Sequence, residues 1–248
     1  MKRLISAFIL FFLACATFAQ AKKSDAKFIS GLQMVIDGQL EDWSTQWNTV
    51  GDKEPLWTYA IGYDDQYLFV AVKVIDPALQ LEAAAHGISV MVNKDGKKKD
   101  GMQFIFPVPD AETIRSMLEM GDFSATHVKT ELIARSRGYK VKDFPKIVDG
   151  LLSLSNAYGL QAVAKVDAAD HLVYESAIPL AQLGLPASAI TPVAIEIAIQ
   201  NRWNNRLTAQ AHQQQKPSAQ QQTGARAKSP YKGKTAVWVI DKLPLQKD

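Results

Sequence analysis

Val35-Ile36-Asp37-Gly38-Gln39-Leu40-Glu41-Asp42-Trp43 carries the strongest fold signal in the chain. Two β-branched residues run into Asp37-Gly38, a pair suited to the positive φ angles of a tight turn, and an acidic pair then leads to an indole. This is the form of a strand that ends in a turn. Local physics assigns Asp37 to its own turn amides and Trp43 to a core anchor.

Residues 31–36 alternate Leu32, Met34 and Ile36 against Gln33 and Val35, which predicts a half-buried first strand. Trp57, Tyr59 and Ile61 alternate with Thr58 and Ala60 in a second. After the Asp64-Asp65-Gln66 turn, residues 67–74 are almost wholly apolar, as in a strand covered on both faces. Asp76-Pro77 ends it, because Pro fixes φ and lacks a donor. Residues 88–93 and 102–106 form a long hairpin whose tip carries Lys97, Lys98 and Lys99, a solvated turn that also blunts edge pairing.

Asp110 is placed to cap a helix through Met120, and residues 124–137 predict a second short one before Gly138. Residues 160–166 and 171–178 flank Asp167-Ala168-Ala169-Asp170 as strand, turn and strand. Pro179 stops the last of these, and residues 180–185 suit one helical turn. Val193, Ile195, Ile197 and Ile199 alternate with polar or small residues, and residues 235–241 restore strand character. The expectation is an all-β antiparallel sandwich with one or two short inserted helices. Its expected core contains Ile36, Ile61, Leu68, Val70, Val72, Val90, Ile178, Ile195, Ile197 and Trp238.

The chain of 248 residues carries 47% hydrophobic residues, enough for a full core. Lys2 and Arg3 followed by an apolar run to Ala14, with Thr17-Phe18-Ala19 or Ala19-Gln20-Ala21 as the cleavage pattern, read as a signal peptide over residues 1–21. The run is too short to span a bilayer, and no later stretch is long and apolar enough. Export to the periplasm or beyond the cell is therefore expected. The formal charge of +3 falls to +1 when Lys2 and Arg3 leave with the leader, which is no footprint for nucleic acid.

Cys15 is the only cysteine and lies inside the leader, so neither an intramolecular disulfide nor a Cys-based metal site can form. Its acylation is the alternative to cleavage further on. Residues 22–248 are expected to make one domain. Within it, residues 206–234, rich in Gln, Ala, Lys and Ser, read as a disordered loop between two strands.

Four segments together resemble the β-sandwich superfamily of the family 9 carbohydrate-binding modules and the DOMON-like domains, closest to its uncharacterised exported members. Asp37-Gly38 through Trp43 is similar to the superfamily's opening, and Tyr63-Asp64-Asp65-Gln66-Tyr67-Leu68-Phe69-Val70-Ala71 to one of its hairpins. Lys73-Val74-Ile75-Asp76 and Tyr174-Glu175-Ser176-Ala177-Ile178-Pro179-Leu180 complete the likeness. It implies a fold, and a shared fold does not establish a shared function.

No Gly-rich phosphate loop, Gly-x-Ser-x-Gly elbow or His-Glu-x-x-His helix occurs, so the sequence carries no enzyme signature. His86, His127, His171 and His212 lack metal-ligand spacing. Asp37, Asp42, Asp64, Asp65, Asp76 and Glu175 are oxygen donors of the kind that hold structural calcium at sandwich ends, a site the resemblance adds as a secondary reading. Turn formation explains most of them equally. Sugars stack apolar C–H faces on rings while nearby polar groups bind their hydroxyls. Asn201, Arg202 and Trp203, directly after a strand, supply that mixture and are the expected ligand contacts.

A non-catalytic module that binds a glycan is the expected function. Two alternatives stand beside it. Some DOMON-like domains carry a b-type haem on Met with His or Lys, and Met91 and Met102 lie on facing hairpin strands. The other is a structural accessory that contacts an exported protein partner.

Overall fold

The structure is a computed structural model that describes residues 26–32, 34–43, 46–119, 124–185, 192–202, 229–231 and 233–243. The expected leader over residues 1–21 with Cys15, and most of the expected loop over residues 206–234, lie outside the described residues.

Two sheets face one another. The first contains β1 (Ile29–Ser30), β2 (Asn48–Gly51), β3 (Pro55–Tyr63), β4 (Tyr67–Val74), β9 (Gln161–Val166) and β10 (Leu172–Pro179). Its order is β1-β3-β4-β10-β9, with β2 also on β3. The second contains β5 (Ile88–Asn93), β6 (Met102–Phe106), β7 (Gly138–Lys142), β8 (Gly150–Ser153), β11 (Pro192–Ile199) and β12 (Ala236–Lys242), in the order β12-β11-β5-β6-β7-β8. Every pairing is antiparallel except that of β1 with β3. The chain is a two-layer β-sandwich.

The core between the sheets follows from period-two alternation. Trp57, Tyr59 and Ile61 point inward from β3, and Leu68, Val70, Val72 and Val74 from β4. They meet Ile88, Val90, Val92, Phe104, Val193, Ile195 and Ile197 of the second sheet. Trp238 does not join them. Register sets it opposite Glu196, on the outward face of β11, and its indole hydrogen-bonds that carboxylate, so the buried β12 residue is Val239. A shift of one residue exchanges the faces of a strand, and this part of the expected core is corrected accordingly.

Among the described residues three α-helices accompany the sheets, and one of them is not predicted from the sequence. α1 (Pro77–His86) is the addition. Asp76 Oδ1 accepts the Leu79 amide at 2.8 Å, and Pro77 sits at the first helical positions, where a missing N–H costs nothing. The Asp-Pro pair that closes a strand therefore also opens a helix. α2 (Ala111–Glu119) starts under Asp110, which accepts the Thr113 amide, and α3 (Ala125–Ala134) starts under Ser124. α1 packs on α3 and touches β4 and β10 of the first sheet and β11 of the second, so it bridges the two layers.

The outward face of the first sheet is also apolar and is covered by the chain's own beginning. Ala60, Phe69, Ala71 and Ala177 pack beneath Leu32, Met34, Ile36, Leu40 and Trp43. Leu32, Met34 and Ile36 face the sheet as their alternation predicts, with Val35 64% exposed, yet no ladder runs through residues 34–36. The extended segment lies across the strands instead of extending the sheet. Gly62 permits this approach, because a Cβ there would lie 2.2 Å from Leu32 Cδ1. Ile36 is accordingly half-buried in this outer layer and is not part of the core between the sheets.

Candidate functional site

Glu175 is the most heavily bonded acidic residue of the outer layer. It projects from the outward face of β10, where register places it between Ala71 of β4 and Val163 of β9. Its side chain is fully buried. Oε2 accepts the Gly38 amide at 2.7 Å and the Asp37 amide at 3.3 Å, and Oε1 accepts the Trp43 indole N–H at 2.7 Å. Burial raises the carboxyl above its usual range, while the bonds from Trp43, Gly38 and Asp37 pull it down. Gly38 has φ of +79°, and a Cβ on it would meet Lys165 Cδ at 2.9 Å. The turn can therefore press its amides onto the carboxylate only with glycine there.

This constellation is a clasp. All three donors come from the chain, and Glu175 ties residues 37–43 to the sheet.

The other acidic residues do similar local work. Asp37 Oδ1 accepts the Gln39 amide, Asp64 Oδ1 those of Gln66 and Tyr67, and Asp76 caps α1. Among the described residues, no three His, Cys, Asp or Glu side chains converge as a metal site would require. The oxygen donors read for calcium are thus distributed among turns, a helix cap and the clasp, and they do not fit that ion as a set.

The expected contact segment begins where β11 ends. Asn201 is fully buried and its Nδ2 donates to the Ile199 carbonyl, so this side chain faces inward and is removed from solvent. Arg202 is fixed from α1: its amide donates to Glu82 Oε2 at 2.9 Å and its Nε donates to Glu82 Oε1. The Glu82 side chain is 3% exposed and that of Arg202 is 50% exposed, so the pair has one end inside and one end in water. Trp203 lies outside the described residues.

The surroundings of Arg202 reinforce its placement. The Gln200 amide donates to Gly87 at the C-terminal end of α1. His86 Nε2 lies 3.5 Å from Glu82 Oε2. Burial holds the imidazole below its usual range, opposed by Glu82 and aided by Arg202. Tyr231 returns to the same place, where burial and the charges of Asp76 and Glu82 push its phenol up to about 12. Sequence reasoning does not find Glu82, His86 or Tyr231. The Asp76-Pro77 start was the one local signal that a helix would bring Glu82 here.

Met91 and Met102 do not share a site. Met102 pairs with Val92 and faces the core, whereas Met91 pairs with Gln103 and faces away from it. Adjacent positions on paired strands alternate faces, so the sheet separates the two sulfurs and no haem iron can take both. No helix among the described residues is long and apolar enough to cross a membrane.

No protein-family model matches the sequence, and no curated protein matches it. Among solved structures, the chain is similar to a carbohydrate binding module family 9 (CBM9) from Caldicellulosiruptor kristjanssonii in complex with cellotriose. The identity is 13% and the TM-score 0.39, with 71% of this chain and 77% of that chain covered. A module of the same family and organism in complex with glucose gives 12% identity and a TM-score of 0.36, covering 71% of this chain and 80% of the other.

Proposed function

We propose that this protein is a non-catalytic, exported carbohydrate-binding module whose contacts are made by Arg202 and Trp203, with Asn201 holding the segment from inside. The observation that carries the reading is the pairing of Arg202 with Glu82. A guanidinium is a planar set of donors; its Nε is held by Glu82 of α1, which also accepts the Arg202 backbone amide, while half of the side chain stays in water. Less ordering entropy is then lost when it binds a hydroxylated ligand. The indole that follows it in sequence supplies the apolar face against which a sugar ring stacks. Four sequence segments resembling the family 9 modules favour the same class.

The test is a glycan array followed by tryptophan-fluorescence titration. Trp203→Ala should weaken binding about tenfold, the scale of one aromatic contact. Arg202→Ala should weaken it further, and Arg202→Lys should restore little of the loss, because an ammonium cannot reproduce the planar fork. An array without a hit removes the carbohydrate reading. Binding unaffected by Trp203→Ala removes the segment. Export is tested separately by intact mass of protein from its native host, which should show the loss of about 19 to 21 residues.

A further inference from the structure

A cleft of about 290 Å³ opens on the outward face of the first sheet, away from the segment that holds Arg202. Its construction follows one row of the sheet. Phe69 of β4 stands beside Ala177 of β10, and Ala177 beside Gln161 of β9. The row runs from a large ring, through a methyl group, to an amide on the edge strand. The small residue in the middle leaves the depression.

Three further elements form its sides. Tyr67 stacks on Phe69 with ring centroids 5.8 Å apart and planes 27° apart, so the phenol ring is held in place. Met34 and Ile36, from the segment that the Glu175 clasp ties down, make the opposite apolar wall. Asp64 also lines the cleft. Its Oδ1 accepts the amides of Gln66 and Tyr67, which fixes the carboxylate, and among the described residues none donates to its Oδ2. Gln161 is exposed on the remaining side.

We infer that this cleft is a second carbohydrate subsite, which takes a single pyranose ring between Tyr67 and the Met34–Ile36 wall and holds its hydroxyls with Asp64 and Gln161. The inference rests on the carbohydrate reading above. A pyranose matches the lining because it presents apolar C–H faces and a polar edge, while the cleft presents apolar sides and a polar rim. A wholly apolar occupant would strip water from Asp64 and Gln161 and return no hydrogen bond. The volume falls just below the range of about 300 to 1,000 Å³ for small-molecule sites, which favours one ring over a long chain.

The test uses methyl glycosides of glucose, galactose and mannose, observed by saturation-transfer NMR and by amide shifts of Tyr67 and Gln161. Four proteins are compared: wild type, Trp203→Ala, Gln161→Ala and Gln161→Trp. The Gln161 variants change an exposed side chain and should fold as wild type does. Gln161→Ala should weaken binding about fivefold, the worth of one hydrogen bond. Gln161→Trp should fill the cleft and abolish the Tyr67 shift, and Trp203→Ala should leave that shift intact. If both Gln161 variants bind as wild type does, the subsite is overturned. Loss of all binding in Trp203→Ala alone leaves one site and also overturns it. If no glycoside binds wild type while longer glycans do on the array, the subsite fails and the general reading stands. If neither binds, both fail.

Discussion

The Trp43 indole N–H donates to Glu175 Oε1 over 2.7 Å, across 132 positions of sequence. The bond joins residues 37–43 to β10, the strand that ends at Pro179. Those are two of the segments on which the resemblance rests, and the carboxylate is the reason they belong together.

Removing either partner should therefore destabilise the fold by more than its lost contact area. In Glu175→Gln the amide keeps one acceptor oxygen and turns an N–H₂ toward a donor, which should cost about 1 to 3 kcal/mol. Trp43→Phe removes one of the three bonds to a buried carboxylate and should cost a similar amount. Urea denaturation of the single variants and the double variant measures their coupling, which should be at least about 0.5 kcal/mol for residues in contact. Additive losses would contradict the clasp.

The same carboxyl should leave a signature in pH. Because burial raises it, the folded state keeps a proton that the unfolded chain has released. Its contribution is full below the ordinary glutamate pKa of about 4.3 and is lost as pH rises through the folded value. The stability advantage of wild type over Glu175→Gln should therefore shrink as pH rises through that window. Urea midpoints at a series of pH values read it directly, and a constant difference would contradict it.

Lys129 makes a third prediction. Its side chain is almost wholly buried on α3, where its ammonium donates to the Gln80 side chain, to the Asp170 carbonyl at 3.0 Å and to Asp170 Oδ1 at 2.9 Å. Lys129→Ala strands these acceptors and opens a cavity, and should cost about 3 to 5 kcal/mol. Lys129→Met keeps most of the volume and should cost less. The Asp170 carboxyl is held low by its bonds from Thr126 and Lys129. It should titrate higher by NMR in either variant.

Gly38→Ala should destabilise by about 1 to 3 kcal/mol, combining the left-handed backbone with the contact against Lys165. Gly62→Ala has no such φ and meets the end of a flexible Leu32 side chain, so it should cost less. Thermal unfolding of the two variants gives the order.

Much of the sandwich was legible because its strands alternate cleanly. Residues 88–93 and 102–106 match β5 and β6, and Asp110 and Ser124 mark the starts of α2 and α3. What escaped had a local reason. α1 reads PALQLEAAAH, with small residues around the helix and no charged stripe, behind a proline that also ends strands. β7 and β8 are short, and their Gly138 and Gly150 look like loop residues. Trp238 was misplaced because alternation gives a strand two faces, and only pairing with β11 decides which one is inside. At the candidate site, Arg202 was visible as a polar residue beside an indole. Its fixation by Glu82 was not, because 120 positions separate them.

Synthesis runs from the N-terminus, and here it meets its own topology. Trp43 and the Asp37-Gly38 turn emerge long before Glu175, and β4 emerges long before β10, its neighbour on one side. A nascent chain that stops short of Glu175 has the turn without its acceptor and β4 with one edge unpaired. The arrival of β10 supplies both together, so residues 37–43 are made well before β10 and are fixed only with it.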